Sequence, residues 1–146
     1  MSIRVRTETL SGTIAASTLA VAAAVHVGWA TGSTWPAASP DELADLVVGR
    51  RPMPGPVACA TAALALTGAA VTTAMASTAR RPDARSRAGA TMVSAALLAR
   101  GIGGAVAEIG HLGQTTPEFR RSNRRLYNPL CVVLGILVAA SRRSRT

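Results

Sequence analysis

The chain carries no charged residue between Thr9 and Pro40, and none again between Pro52 and Ala79. Long uncharged apolar runs constrain folding more than any local motif, because such segments are read first as membrane spans. Leu10 to Ala30 supplies 21 mostly apolar positions, enough at ~1.5 Å per residue to cross a ~30 Å hydrocarbon layer. Pro54-Gly55-Pro56 opens a second segment and Arg80-Arg81-Pro82 stops it. A third, Ala88 to Ile109, is interrupted only by Arg100 and Glu108. It is long enough but expensive, since a central arginine costs about 2.5–3.5 kcal/mol on translocon scales. The fourth, Leu126 to Ala140 between Arg124-Arg125 and Arg142-Arg143, has only 15 residues, and needs local thinning or arginine snorkelling to span. The expected spans are 10–30, 56–79, 88–109 and 126–141, in one membrane domain covering residues 1–146.

Composition sharpens this reading. The 146 residues include sixteen arginines, no lysine and seven acidic residues, a net charge of +9, yet 49% are hydrophobic and only 3% aromatic. Mean hydropathy is +0.29, which a basic nucleic-acid-binding domain rarely shows, so no nucleic-acid partner is expected. The arginines must border the apolar segments. Disorder is excluded by the apolar content, and an all-β fold is disfavoured by the alanine-rich, aromatic-poor makeup. The expected fold class is all-α: an integral membrane four-helix bundle with short interfacial helices in its outer loops. Cys59 and Cys131 are too few for a disulfide scaffold; they read first as small hydrophobes, with a disulfide as the alternative. No histidine or cysteine spacing suits a metal, and no cofactor is expected.

Arginine counting sets orientation. With the N-terminus in the cytoplasm, the inner side holds Arg4, Arg6, Arg80, Arg81, Arg85, Arg87, Arg142, Arg143 and Arg145; the outer side holds Arg50, Arg51, Arg120, Arg121, Arg124 and Arg125. Nine against six favours a cytoplasmic-membrane protein with both termini inside. The rival reading of the N-terminus is a cleaved signal peptide ending near Gly28-Trp29-Ala30; retention is favoured because His26 and Trp29 sit where a cleavage region is normally featureless. In the loops, Ser39-Pro40-Asp41-Glu42 is a helix start with Leu43, Leu46 and Val47 on one face and Gly49 as its stop. Thr116-Pro117-Glu118 is a second start. Asn128-Pro129 reads as a cap and first turn of the fourth helix.

With this topology, His26, Trp29, Cys59, Glu108, His111, Tyr127, Asn128 and Cys131 all fall near the outer end, while the inner halves are apolar or small. At ~100° per residue His111 lies ~20° around the third helix from Arg100, and Glu108 ~80° to one side. Arg100 sits near mid-bilayer and must face the bundle, where Gly103, Gly104 and Ala107 allow a close neighbour and leave room. Glu108 is ~12 Å further along the axis, too far to pair with Arg100 directly. Backbone carbonyls, Tyr127, water or a ligand are the expected partners. Each of these residues also has a plainer reading. Arg100 serves equally as a packing device, Trp29, Trp35 and Tyr127 as interfacial anchors, and His26 as an interhelical hydrogen-bonder. Arg120, Arg121, Arg124 and Arg125 are solvated or in contact with lipid phosphate.

His26-Val27-Gly28-Trp29-Ala30-Thr31-Gly32, Pro54-Gly55-Pro56, Arg100-Gly101-Ile102-Gly103 and Arg125-Leu126-Tyr127-Asn128-Pro129-Leu130-Cys131 together resemble the signature of the bacterial membrane family known as domain of unknown function 3995. The similarity runs from about residue 10 to residue 140, with Gly104 to Phe119 the looser part. The resemblance implies a small four-helix membrane protein and brings no activity.

The leading functional expectation is a non-enzymatic protein binding an anionic or amphipathic small molecule, or a lipid headgroup, in an outward-facing pocket formed by Arg100, His26, Trp29, Tyr127, Glu108 and His111. One alternative is an accessory or oligomeric subunit docking on other membrane proteins or on itself. Another is a small enzyme using His26, Glu108 or His111 in acid–base chemistry. Membrane lipids are the expected partners.

Overall fold

In a computed structural model of the chain, which describes residues 2–79, 83–110, 112–113 and 115–141 (side chains of residues 2–6 excepted), the apolar runs become long helices. Helix α1 spans Ser2–Ala30, α3 Pro56–Thr78 and α4 Ala84–Ile109. A short helix α2, Pro40–Val47, lies between α1 and α3. The last span is built from α5 (Pro117–Ser122), a π-helical turn (Asn123–Tyr127) and α6 (Asn128–Ser141), which run on without a break. Thr7–Ala30, Pro56–Thr78, Ala84–Ile109 and Pro117–Ser141 are each long and apolar enough to cross a bilayer. There is no strand among the described residues.

The fourth span therefore corrects the sequence reading. Its helix begins at Pro117 rather than Leu126 and has 25 residues, with Arg120, Arg121, Arg124 and Arg125 all exposed within its first nine. Asn128 is not a cap: at φ −63° and ψ −52° it is helical, and its N–H bonds to the Asn123 carbonyl. A helix proline lacks its N–H and crowds the carbonyl four residues back. For Pro129 that carbonyl is Arg125, inside the π turn, where the wider winding gives the proline ring room. The proline read as a beginning is an interior one.

The spans form a square in which α1 packs on α3 and α6, and α4 packs on α3 and α6, with α1 and α4 at opposite corners. The start of α1 and the ends of α3 and α6 converge, since a Cβ on Gly12 would strike Ser77 and touch Ser141. The opposite, distal end holds α2 and α5. Small residues fill the interior: Ala15, Ala70, Ala76 and Ala90 accompany Leu19, Leu134 and Val138. Val57, Leu64, Met92, Ile109 and Ile136 are exposed. That inversion suits helices surrounded by lipid, where apolar side chains gain nothing by facing inward and close backbone approach does the packing. The α4–α6 seam is the tightest case. Ser94 Oγ donates to the Gly135 carbonyl at 2.8 Å, and a Cβ on Gly135 would lie 2.7 Å from Leu98 Cγ.

At the distal end the short helices start as their residues require. Ser39 Oγ accepts from Glu42 N at 3.2 Å and Glu42 Oε2 accepts from Ala38 N at 2.9 Å, which satisfies otherwise orphaned donors. Thr116 caps α5 and also joins it to α2, its hydroxyl donating to the Asp45 carbonyl at 2.6 Å and its N–H to the Gly49 carbonyl at 3.0 Å. Gly49 has φ +80°, and a Cβ there would meet the Phe119 ring at 2.8 Å, so both conformation and contact require glycine. Helix α2 is thus clamped to α5. Arg51 folds back on α2, pairing with Asp41 at 3.2 Å and with both carboxylate oxygens of Asp45.

Two outcomes follow from these contacts. Gly135→Ala lowers stability by about 1–3 kcal/mol through overpacking, whereas Gly68→Ala, which meets nothing within 4 Å, changes it by no more than about 0.5 kcal/mol; unfolding in mixed micelles measures both. The Arg51 guanidinium, hydrogen-bonded to Asp45, holds that carboxyl below the usual aspartate value. A depressed folded value means that the pairing's contribution is in place above the unfolded value and is lost as pH falls through the lowered one. Carbon-13 titration by NMR therefore finds Asp45 below ordinary aspartates, and Arg51→Gln brings it back up.

Candidate functional site

Arg100 lies two-thirds of the way along α4, and the question it poses is where its donors go. Nη1 donates to Asn128 Oδ1 at 3.0 Å and Nη2 to Asn123 Oδ1 at 2.8 Å. The two asparagines are five residues apart, which in an α-helix would turn them ~140° away from each other. The π turn between them, closed by the Asn128 N–H to Asn123 carbonyl bond, brings both amides onto the face that meets α4. Asn123 then passes the contact on: its Nδ2 donates to Glu108 Oε1 at 2.5 Å. Arg100 and Glu108, which cannot touch along one helix, are joined through a side chain of another.

Close packing makes this possible. A Cβ on Gly101 would lie 2.8 Å from the Asn128 carbonyl and 2.7 Å from Val132 Cγ2, and one on Gly104 would fall on Asn128 Oδ1 and within 2.6 Å of Arg100 Nη1. Asn123 and Asn128 are buried, at 3% and 5% exposure, as polar groups inside a span must be when they are hydrogen-bonded to one another. Of the five N–H donors of Arg100, the other three make no hydrogen bond among the described residues. Arg100 lines a cleft of about 260 Å³ at the junction of α4 and α5, together with Gly104, Glu108, Phe119, Arg120 and Asn123.

The sequence-selected residues divide accordingly. Arg100, Glu108 and Arg120 line the cleft. His26 and Trp29 do not: His26 Nδ1 is bonded to the Ala22 carbonyl at 2.8 Å, its ring lies 4.8 Å from that of Trp29, and Trp29 Nε1 donates to the Trp35 carbonyl at 2.7 Å. Tyr127 does not line it either, though its ring lies 6.4 Å from that of Phe119, which does. Of the three acid–base candidates Glu108 lines the cleft and His26 does not, and His111 lies outside the described residues. Arg121, Arg124 and Arg125 are exposed on the same helix, and like Arg120 they form no ion pair among the described residues. Cys59 and Cys131 are free thiols; Cys59 Sγ approaches the Pro54 carbonyl at 3.6 Å. No group of three or more potential metal ligands occurs among the described residues.

The family described as Protein of unknown function (DUF3995) matches residues 19–138. The chain belongs to the DUF3995 family. The matched region takes in α3, α4 and most of the last span, and with them Arg100, both asparagines and the π turn. No curated protein matches the chain, and no solved structure does. The DUF3995 match thus carries the family alone; the membrane architecture rests on the four long apolar helices, and the chemistry of the cleft has to be argued from its own side chains.

Sequence reasoning missed Asn123 and Asn128 as the partners of Arg100. The signal was present, since an intramembrane arginine demands acceptors and these are the two asparagines of the chain, but at α-helical spacing they diverge. Because Asn128 and Gly104 serve one contact, Asn128→Leu destabilises by about 1.5–3 kcal/mol and Gly104→Ala by about 1–3 kcal/mol. Their double variant falls short of the sum. Gly103→Ala, which meets nothing within 4 Å, serves as the control in the same micellar unfolding measurement.

Proposed function

We propose that this protein binds an anionic amphiphile, with the charged group of the ligand held in the α4–α5 cleft between Arg100 and Arg120. The observation that carries the reading is the guanidinium of Arg100: two of its donors are fixed by Asn123 and Asn128, so it is oriented before any ligand arrives, and the residue lines the cleft with donors to spare. Arg120 adds a second positive charge and Glu108 one negative charge, leaving an excess of one positive charge suited to a singly charged anion. A cleft of about 260 Å³ is smaller than the ~300–1,000 Å³ of sites for drug-sized ligands, and suits a headgroup or small acid. Phe119 and Leu112 supply apolar wall for the attached chain.

We also infer that the chain sits in the cytoplasmic membrane with both termini on the cytoplasmic side, so that the cleft opens outward. Support comes from the nine-to-six arginine asymmetry of the sequence and from the convergence of the start of α1 with the end of α6 at one end of the bundle.

Titration of the purified protein in a neutral maltoside detergent with octyl phosphate, followed calorimetrically, tests the binding. Saturable binding is expected, weakened about tenfold or more by Arg120→Gln or Arg100→Gln, the equivalent of ~1.4 kcal/mol for a lost charge-assisted contact. Arg120→Gln is the cleaner variant because Arg120 has no structural partner among the described residues. Absence of saturation, or an affinity unchanged from the parent protein in both variants, overturns the reading.

A further inference from the structure

The neighbouring face of α4 forms a second groove with α6, about 520 Å³ in volume and almost wholly apolar. Ile102 and Val106 of α4 and Val132 and Val133 of α6 make its walls, and Ile102, Val106 and Val133 are each more than half exposed along it. Two polar features interrupt the apolar surface. Arg124, exposed and without an ion pair among the described residues, stands at the distal mouth. One turn deeper is Asn128, 5% exposed, whose Nδ2 has no hydrogen-bond acceptor. Turning the amide over does not cure this, because Oδ1 is held by Arg100 at 3.0 Å; the buried donor is fixed in place by the arginine. A buried donor without an acceptor is rare enough to require an explanation.

From the mouth inward the groove is thus lined by a cation, by Asn128 with its donor closed over by neighbouring atoms, and by a branched-aliphatic trough. An anionic glycerophospholipid presents a phosphate, an ester carbonyl and an acyl chain in the same order. We propose that this groove is a specific site for one anionic glycerophospholipid: the phosphate on Arg124, an acyl chain between Ile102 and Val132, and an ester carbonyl accepting from Asn128 Nδ2 once the side chains that cover it part. The site is distinct from the polar cleft, since Arg100 and Arg120 line only the cleft and Arg124 and Asn128 only the groove, with Glu108 on the ridge shared by both. Here the bound molecule also satisfies a buried amide.

The test uses the full chain in nanodiscs of equal parts phosphatidylglycerol and phosphatidylcholine, doped with phosphatidylglycerol carrying a diazirine on one acyl chain. Photocrosslinks are expected to concentrate within residues 101–109 and 128–133. Groove labelling should fall roughly fivefold in Arg124→Gln, the loss for one arginine at a membrane surface, and further in Ala105→Phe, which fills the trough. A phosphatidylcholine probe with the same diazirine chain should label the groove several-fold less. Arg120→Gln should leave groove labelling unchanged, so this site and the polar cleft stand or fall separately. Labelling spread evenly over the exposed faces of all four spans overturns the proposal, as does groove labelling indifferent to Arg124→Gln and Ala105→Phe or equal for the two headgroups.

Discussion

A guanidinium partway along an apolar helix has to be met by acceptors, and the distal half of this protein is arranged around how Arg100 meets them. An unpaired charge at that depth is expensive, and α4 itself offers only carbonyls already used in its own ladder. Relief comes from the last span, which brings two side-chain carbonyls to one guanidinium. An ordinary α-helix cannot do this with residues five apart. The π turn does, and Pro129 gives a local reason for it to sit where it does.

This arrangement also requires that α4 and α6 come very close. Gly101 and Gly104 stand where a methyl group would enter Val132 or the Asn128 amide, and Gly135 stands where one would enter Leu98. In lipid there is no hydrophobic pressure to draw helices together, so small residues, a buried Ser94 hydroxyl on the Gly135 carbonyl and the arginine contact share the work. Above the seam, α2 is fastened to α5 by Thr116 and by Phe119 over Gly49. That attachment holds the first turn of the last span, and hence Arg120, beside the end of α4.

Much of this was legible before any tertiary structure. Three of the four long helices, the cap of α2 at Ser39, its stop at Gly49 and the cap of α5 at Thr116 all follow from charge-free length, capping chemistry and glycine. The importance of Arg100 followed from its depth alone. What was misread is instructive for one reason: Asn128-Pro129 has the form of a helix start, and a proline preceded by a capping residue is ambiguous between a first turn and an interior bend. Reading it as a start shortened the last helix by nine residues, from Pro117 to Leu126, and hid the pairing of both asparagines with Arg100.

The sequence by itself determined that this is an all-helical chain whose four apolar stretches can each cross a bilayer, and that one arginine among sixteen stands apart from the segment borders. Those conclusions rest on length, hydropathy and local capping, which are properties of contiguous residues. Only the tertiary structure decided that Arg100 is held by Asn123 and Asn128, that Asn123 links it to Glu108, and that His26 and Trp29 stand elsewhere. Partner choice between helices depends on rotation about each helix axis. A single π turn changes that rotation by most of the angle separating the two asparagines, which no pattern counted at 3.6 residues per turn can register.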